Sequence, residues 1–134
     1  MDIVVCDDEP LARERLERML THLGHRVLGQ AKNGIEALEM VEQEQPDVIL
    51  LDIRMPEMNG LECAQKLSNL DTPPAIAFCT AFDQYAIDAF KTNAIAYLLK
   101  PIAMDDLSQT LAKATKLNQA QLQALPTTEK DPEH

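Results

Sequence analysis

Short apolar runs alternate with longer amphipathic ones along this chain, and that alternation predicts a βαβ series around a parallel sheet. The candidate strands are Ile3–Cys6, Arg26–Gln30, Val48–Leu51, Ala75–Cys79 and Ala96–Leu99. The third, Val48-Ile49-Leu50-Leu51, has no polar position at all, as a central strand covered by helices on both faces requires.

Helical periodicity fills the gaps. Pro10 suits a first helical turn, and Ala12, Leu16, Met19, Leu20 and Leu23 then recur on one side. Asn33 reads as the N-cap of a second helix with Leu38 and Val41 inward, and Glu36 stands at the capping-box position. A third helix is expected from about Leu61 to Leu70 and a short, Ala-rich fourth over Gln84–Lys91. The fifth should begin near Asp105 or Asp106 and bury Leu107, Leu111 and Ala114. Residues 119–134 read as a helical extension followed by a linker: Asn118–Leu125 is helix-compatible, with Leu122 and Leu125 at contact spacing. From Pro126 to Pro132 the composition is that of a linker leading to an output domain. The folded unit is thus expected to span residues 1–118.

Composition narrows the class. At 134 residues, 46% hydrophobic and 25% charged, the chain matches one ordinary globular domain. Its net charge of −10 argues against a nucleic-acid surface on this domain, because phosphate backbones demand Lys and Arg. No apolar run approaches the roughly 20 residues of a membrane span, and the start lacks the basic and apolar regions of a signal peptide. Cys6, Cys63 and Cys79 lie in apolar stretches without clustered ligands, so they read as core residues of a reducing compartment. A cytoplasmic location is expected.

In open parallel sheets, sites form at the carboxyl ends of the strands. Reading those ends here collects Asp7 and Asp8 after the first strand, Asp52 after the third, Thr80 after the fourth and Lys100 after the fifth. Each acidic residue alone has an ordinary reading as a turn or cap residue. Their joint placement is what indicates a site. Three adjacent carboxylates repel unless a cation joins them, and an oxygen-only donor set with few carboxylates favours Mg²⁺. Such a cation, with Lys100 and the Thr80 hydroxyl, suits phosphoryl transfer, which needs positioning and charge stabilisation. Asp52 ends the central strand and is the candidate nucleophile.

The segments Val5-Cys6-Asp7-Asp8-Glu9-Pro10, Leu50-Leu51-Asp52-Ile53-Arg54-Met55-Pro56 with Asn59-Gly60, Thr80-Ala81 and Lys100-Pro101 together resemble the receiver domain of two-component response regulators. The stretch Cys79–Phe90 with Tyr97–Pro101 resembles more narrowly the LytTR-type, alginate-biosynthesis-regulator-like subgroup. The resemblance implies a flavodoxin-like (βα)5 fold, a three-layer sandwich whose five-stranded parallel sheet has the order 2-1-3-4-5. It also implies that Asp52 accepts a phosphoryl group from a sensor histidine kinase. Mg²⁺, for which Mn²⁺ substitutes, would be held by Asp8, Asp52 and the backbone carbonyl of Arg54, with Asp7 acting through water.

By the same resemblance, Thr80 and Lys100 contact the phosphoryl oxygens, Tyr97 is the aromatic switch, and the bond before Pro101 is cis. Arg54 and Phe82 occupy the positions that tune phosphate lifetime. The chain would be modified rather than turn over substrate, and its output would be a LytTR DNA-binding domain. The face Gln84–Lys116 would carry the signal, with Asp88, Lys91, Asp105 and Lys113 as its available charges. The strand Ala96-Tyr97-Leu98-Leu99 lacks the acidic residue of the family's usual dimer, so a homodimer through that face would not be the usual one.

Three other readings are weaker. A phosphatase of the haloacid-dehalogenase type needs a second Asp two residues after the nucleophile, where this chain has Arg54. A flavin protein needs a Ser/Thr/Gly phosphate loop after the first strand, where Asp7-Asp8-Glu9 would repel phosphate. A receiver that cannot be phosphorylated would lack some of the five polar positions, all of which are filled. Asn59-Gly60 is expected to form a turn, in which glycine tolerates a positive φ.

Overall fold

The computed structural model describes residues 1–130, with side chains described through Gln119. Ten elements alternate strictly: β1 (Asp2–Cys6), α1 (Pro10–His22), β2 (Arg26–Ala31), α2 (Gly34–Glu44), β3 (Val48–Leu51), α3 (Gly60–Ser68), β4 (Ala75–Thr80), α4 (Ala86–Phe90), β5 (Ala96–Leu99) and α5 (Met104–Lys130). The five strands form one parallel sheet in the order β2-β1-β3-β4-β5, the flavodoxin-like arrangement.

Strand alternation divides the core in two. Ile3, Val5, Val48, Leu50, Ala77 and Cys79 face α1 and α5, where they meet Leu16, Met19, Leu20, Leu107, Leu111 and Ala114. Val4, Cys6, Ile49, Leu51, Ile76 and Phe78 face the other way, against Ala37, Val41, Cys63, Ala64, Leu67 and Ala89 of α2, α3 and α4. Each of the four β3 side chains is fully buried, which accounts for its unbroken apolar sequence.

The helix starts are fixed by local chemistry. At α2 the Asn33 side chain accepts from the Glu36 amide at 2.8 Å, while the Glu36 carboxylate reaches one residue beyond the expected box, to the Lys32 amide. The complete capping box is at α3, where Asn59 Oδ1 accepts from the Glu62 amide and Glu62 Oε1 from the Asn59 amide. Loss of an N-cap side chain costs about 1 kcal/mol. Asn59→Ala is accordingly expected to lower the stability read by urea denaturation by that amount, and an unchanged midpoint would refute the capping role.

Several helix ends differ in detail, and α3 stops at Ser68 rather than near Leu70. Helix α4 is shorter than Gln84–Lys91, because Gln84 and Tyr85 lie in a turn closed by the Ala86 amide on the Asp83 carbonyl. Its far end tightens into successive i→i−3 bonds at Lys91, Thr92 and Asn93. Helix α5 begins at Met104, since the Ala103 carbonyl already accepts the Leu107 amide. It also continues to Lys130, through the Pro126 expected to open a linker. Asp131 and Pro132 lie outside the described residues, and the expected contacts of Leu122 and Leu125 fall outside the described side chains. Among the described residues no helix is long and apolar enough to cross a membrane.

Candidate functional site: an acidic cluster at the carboxyl edge of the sheet

The hydrogen-bond ladder extends one residue past β1, β3 and β5. The Asp7 amide donates to the Ala31 carbonyl, the Asp52 amide to Cys6 and the Lys100 amide to Thr80, at 2.8–3.0 Å. Sheet pairing therefore fixes the backbone of these three residues before any side-chain contact is counted. Thr80 differs slightly from expectation, being the last residue of β4 itself rather than following it.

The side chains converge. Carboxylate oxygens of Asp7, Asp8 and Asp52 lie within 4.8 Å of one another. Asp7 and Asp52 are buried, at 1% and 6% exposure, while Asp8 faces solvent. Lys100 Nζ bridges the two buried ones, 2.7 Å from Asp7 Oδ2 and 3.2 Å from Asp52 Oδ2. The other oxygens accept backbone amides: Asp7 Oδ1 from Glu9 at 2.9 Å and Asp52 Oδ1 from Ile53 at 2.7 Å.

Burial raises the Asp52 carboxyl above its usual range; Lys100 opposes this and the Asp7 charge adds to it. Burial pulls Lys100 down, but the hydrogen bond to Asp7 and the charges of Asp52 and Asp7 together hold it above its ordinary value. Three carboxylates against one ammonium leave the cluster short of positive charge, and the donor set is oxygen only. The residues therefore fit a hard divalent cation. The Thr80 hydroxyl is fully buried and is the one such side-chain polar atom without a hydrogen-bond partner among the described residues. A buried hydroxyl left unpaired is costly unless a further group completes it.

A cavity of about 380 Å³ opens beside the cluster, lined by Asp8, Ile53, Arg54, Met55, Asn59, Leu61 and Tyr85. Above it the Arg54 guanidinium carbon sits 4.4 Å from the centre of the Phe82 ring. Tyr97 is not in the carboxylate cluster. Its hydroxyl donates to the Phe82 carbonyl and its ring lies 6.3 Å from Phe78, so Phe82 is engaged from two sides. The Lys100–Pro101 peptide is cis.

The chain closes on the site through Gly60. Its φ is not positive; the left-handed residue of this loop is Glu57, at 71°. Gly60 instead presses on β3, and a Cβ there would lie 2.1 Å from the Asp52 carbonyl oxygen. Sequence inspection also missed the Glu9 and Ile53 amides, since backbone donors leave no residue-type signal. The three thiols are buried and lie outside the cluster's chemistry, burial pushing Cys63 and Cys79 up to about 12 and Cys6 higher still.

Comparison with known proteins agrees with this geometry. Residues 3–112 match the response regulator receiver domain model. The chain is 49% identical over 127 residues to the positive alginate biosynthesis regulatory protein of Pseudomonas aeruginosa, covering 93% of this chain and 51% of that protein. It is 40% identical over 124 residues to the sensory transduction protein LytT of Bacillus cereus, covering 92% and 50%. It therefore spans about half the length of these relatives. Among solved structures, response regulator protein TrrA of Thermotoga maritima in complex with Mg²⁺-BeF superposes with a TM-score of 0.78 at 34% identity, over 84% of this chain and 97% of that one. Fold, acidic edge and sequence together make the chain a member of the response regulator receiver domain family.

Proposed function

We propose that this domain accepts a phosphoryl group on Asp52 from a phosphohistidine of a sensor histidine kinase and relays the change to a LytTR-type DNA-binding output domain. The observation that carries the reading is the Asp52 carboxylate, buried at the end of the central strand between Lys100 and two further carboxylates. An Asp52 oxygen attacks phosphorus, the new P–O bond forms as the P–N bond breaks, and the imidazole leaves with the bonding pair.

Asp8, Asp52 and the Arg54 carbonyl would hold Mg²⁺ or Mn²⁺ directly, with Asp7 acting through water. When bound, the cation supplies positive charge that offsets repulsion between the carboxylate and the incoming phosphoryl group. Lys100 pairs with a phosphoryl oxygen, and the unpaired Thr80 hydroxyl donates to another. Movement of Thr80 is then read by Tyr97 through its seat on Phe82. The stacked Arg54 and Phe82 govern how easily water reaches the acyl phosphate. The domain assists its own phosphorylation and slow hydrolysis and is not a turnover enzyme.

The relatives' names support a role in regulation and sensory transduction, and their greater length leaves room for an output domain. Three free buried thiols suit a cytoplasmic setting. Ile87 and Phe90 of α4 and Leu99 of β5 are exposed, which favours the Gln84–Lys116 face for docking or a homodimer. Of the charges on that face, Asp88 pairs with Lys91 and Lys113 donates to the Ile95 carbonyl.

Incubation with Mg²⁺ and acetyl phosphate followed by intact mass tests the assignment. Wild type should gain one phosphoryl group, and chelation or Asp52→Ala should abolish the gain. No adduct in wild type, or an adduct persisting in Asp52→Ala, overturns it.

A further inference from the structure

Asp7 lies one residue past the end of β1. The amide finds Ala31, but β2 ends there, so the ladder offers the Asp7 carbonyl no further donor. Arg13 supplies one from α1: its Nη1 donates to the Asp7 carbonyl at 2.6 Å. The guanidinium is itself braced, because Nε donates to Gln30 Oε1 at 3.2 Å, and Gln30 Nε2 donates to Glu17 Oε1 at 2.7 Å. The Asp7 carbonyl belongs to the peptide whose amide is that of Asp8. Pinning this oxygen sets the plane from which the Asp8 side chain departs. No hydrogen bond from another group reaches the Asp8 carboxylate among the described residues, so that plane is its main constraint.

We propose that Arg13, braced by Gln30 and Glu17, is a positioning residue of the divalent-cation site, fixing the Asp7–Asp8 peptide so that the Asp8 carboxylate stays within reach of Asp52. The proposal rests on the cluster being a cation site. Groups that orient ligands from behind typically contribute tenfold or more to metal affinity. Charge alone acts in the opposite direction here: a guanidinium near the cluster repels a cation, so its removal should tighten binding.

Titration of the whole chain with Mg²⁺ alone, by calorimetry, separates the two. Arg13→Met is expected to weaken Mg²⁺ about tenfold. Gln30→Leu, which keeps every charge and perturbs folding less, is expected to weaken it severalfold. In the metal-free protein, hydrogen exchange at the Glu9 amide, which donates to Asp7 Oδ1, should accelerate in both variants while the β3 amides stay protected, a pattern that general destabilisation would not produce. Unchanged or tighter Mg²⁺ binding in either variant overturns the proposal. Wild type that binds no Mg²⁺ would overturn the cation-site reading itself, and the exchange measurement reports on the Arg13 clamp independently.

Discussion

Lys100→Met is expected to lower the stability of the metal-free protein by about 3 kcal/mol at neutral pH, the low end of what removing one partner of a buried ion pair costs. The low end applies because the Lys100 side chain is about a fifth exposed (21%), whereas Asp7 and Asp52 are far more deeply buried. Without the ammonium, two buried carboxylates face each other, and the Glu9 and Ile53 amides are left to oppose their charge. The pH dependence has a definite sign. The folded-state value of Asp52 lies above its ordinary 3.8, so the folded protein takes up this proton before the unfolded chain does. The penalty from ionised Asp52 is thus present at neutral pH and relieved as pH falls through the raised value towards 3.8. Lys100→Met removes the pull that opposes the rise, so the deficit should narrow on mild acidification.

The wild-type Lys100 contribution behaves the other way. It is intact from neutral pH up to about 10.5 and is lost as pH climbs through the raised folded value. Urea denaturation in the presence of a chelator, at neutral and mildly acidic pH, measures the deficit. Saturating Mg²⁺ should recover part of it, since a ligand held only by the folded state stabilises by mass action. Equal stability of the variant and wild type in chelator at neutral pH would show that Lys100 does not hold the cluster together.

How much of this was legible in the sequence depends on which groups carry the interaction. Side chains at strand ends were legible, because apolar runs locate the strands and the next polar residue is then placed by the sheet. Asp7, Asp52 and Lys100 are held in this way by a single further ladder bond each. Strand order was reached only through the resemblance, since the apolar pattern of β3 says that it is central but not which strands flank it. Backbone donors were invisible: the Glu9 and Ile53 amides carry no residue identity. The role of Arg13 leaves no signal in the pattern, because only the early end of β2 makes its guanidinium the donor for the Asp7 carbonyl. A short α4 is legible and only its start is not: Ala-rich composition favours helix, whereas Tyr85 sits at φ −99°, ψ 3° without a side-chain cap.

From sequence Gly60 is a turn residue in which a positive φ is tolerated, and in the structure the reason for its presence is space. Gly60→Ala is expected to be the most damaging small substitution at the site. The new Cβ would meet the Asp52 carbonyl oxygen at 2.1 Å, the Asp52 carbonyl carbon at 2.9 Å and Ile53 Cα at 2.8 Å. All three are backbone atoms, and they cannot retreat cheaply. The Asp52 amide is bonded to Cys6, while β3 is paired on both sides with β1 and β4. Helix α3 is equally committed through its capping box and the buried Cys63, Ala64 and Leu67, and the Gly60 amide itself donates to the Ile53 carbonyl at 2.7 Å. Either the helix start or the Asp52 peptide must shift. Overpacking of this kind costs about 3 kcal/mol, and a displacement of about 1 Å at a nucleophile can slow its reaction about a hundredfold. Gly24→Ala is the control: Gly24 does hold a positive φ, 88°, but has nothing within 4 Å of an added Cβ. It should cost about 1 kcal/mol of backbone strain and leave the rate of phosphoryl uptake from acetyl phosphate unchanged. Urea midpoints and adduct formation followed by intact mass distinguish the two glycines. Gly60→Ala that matched wild type in both measurements would mean that α3 does not press on the Asp52 peptide as described.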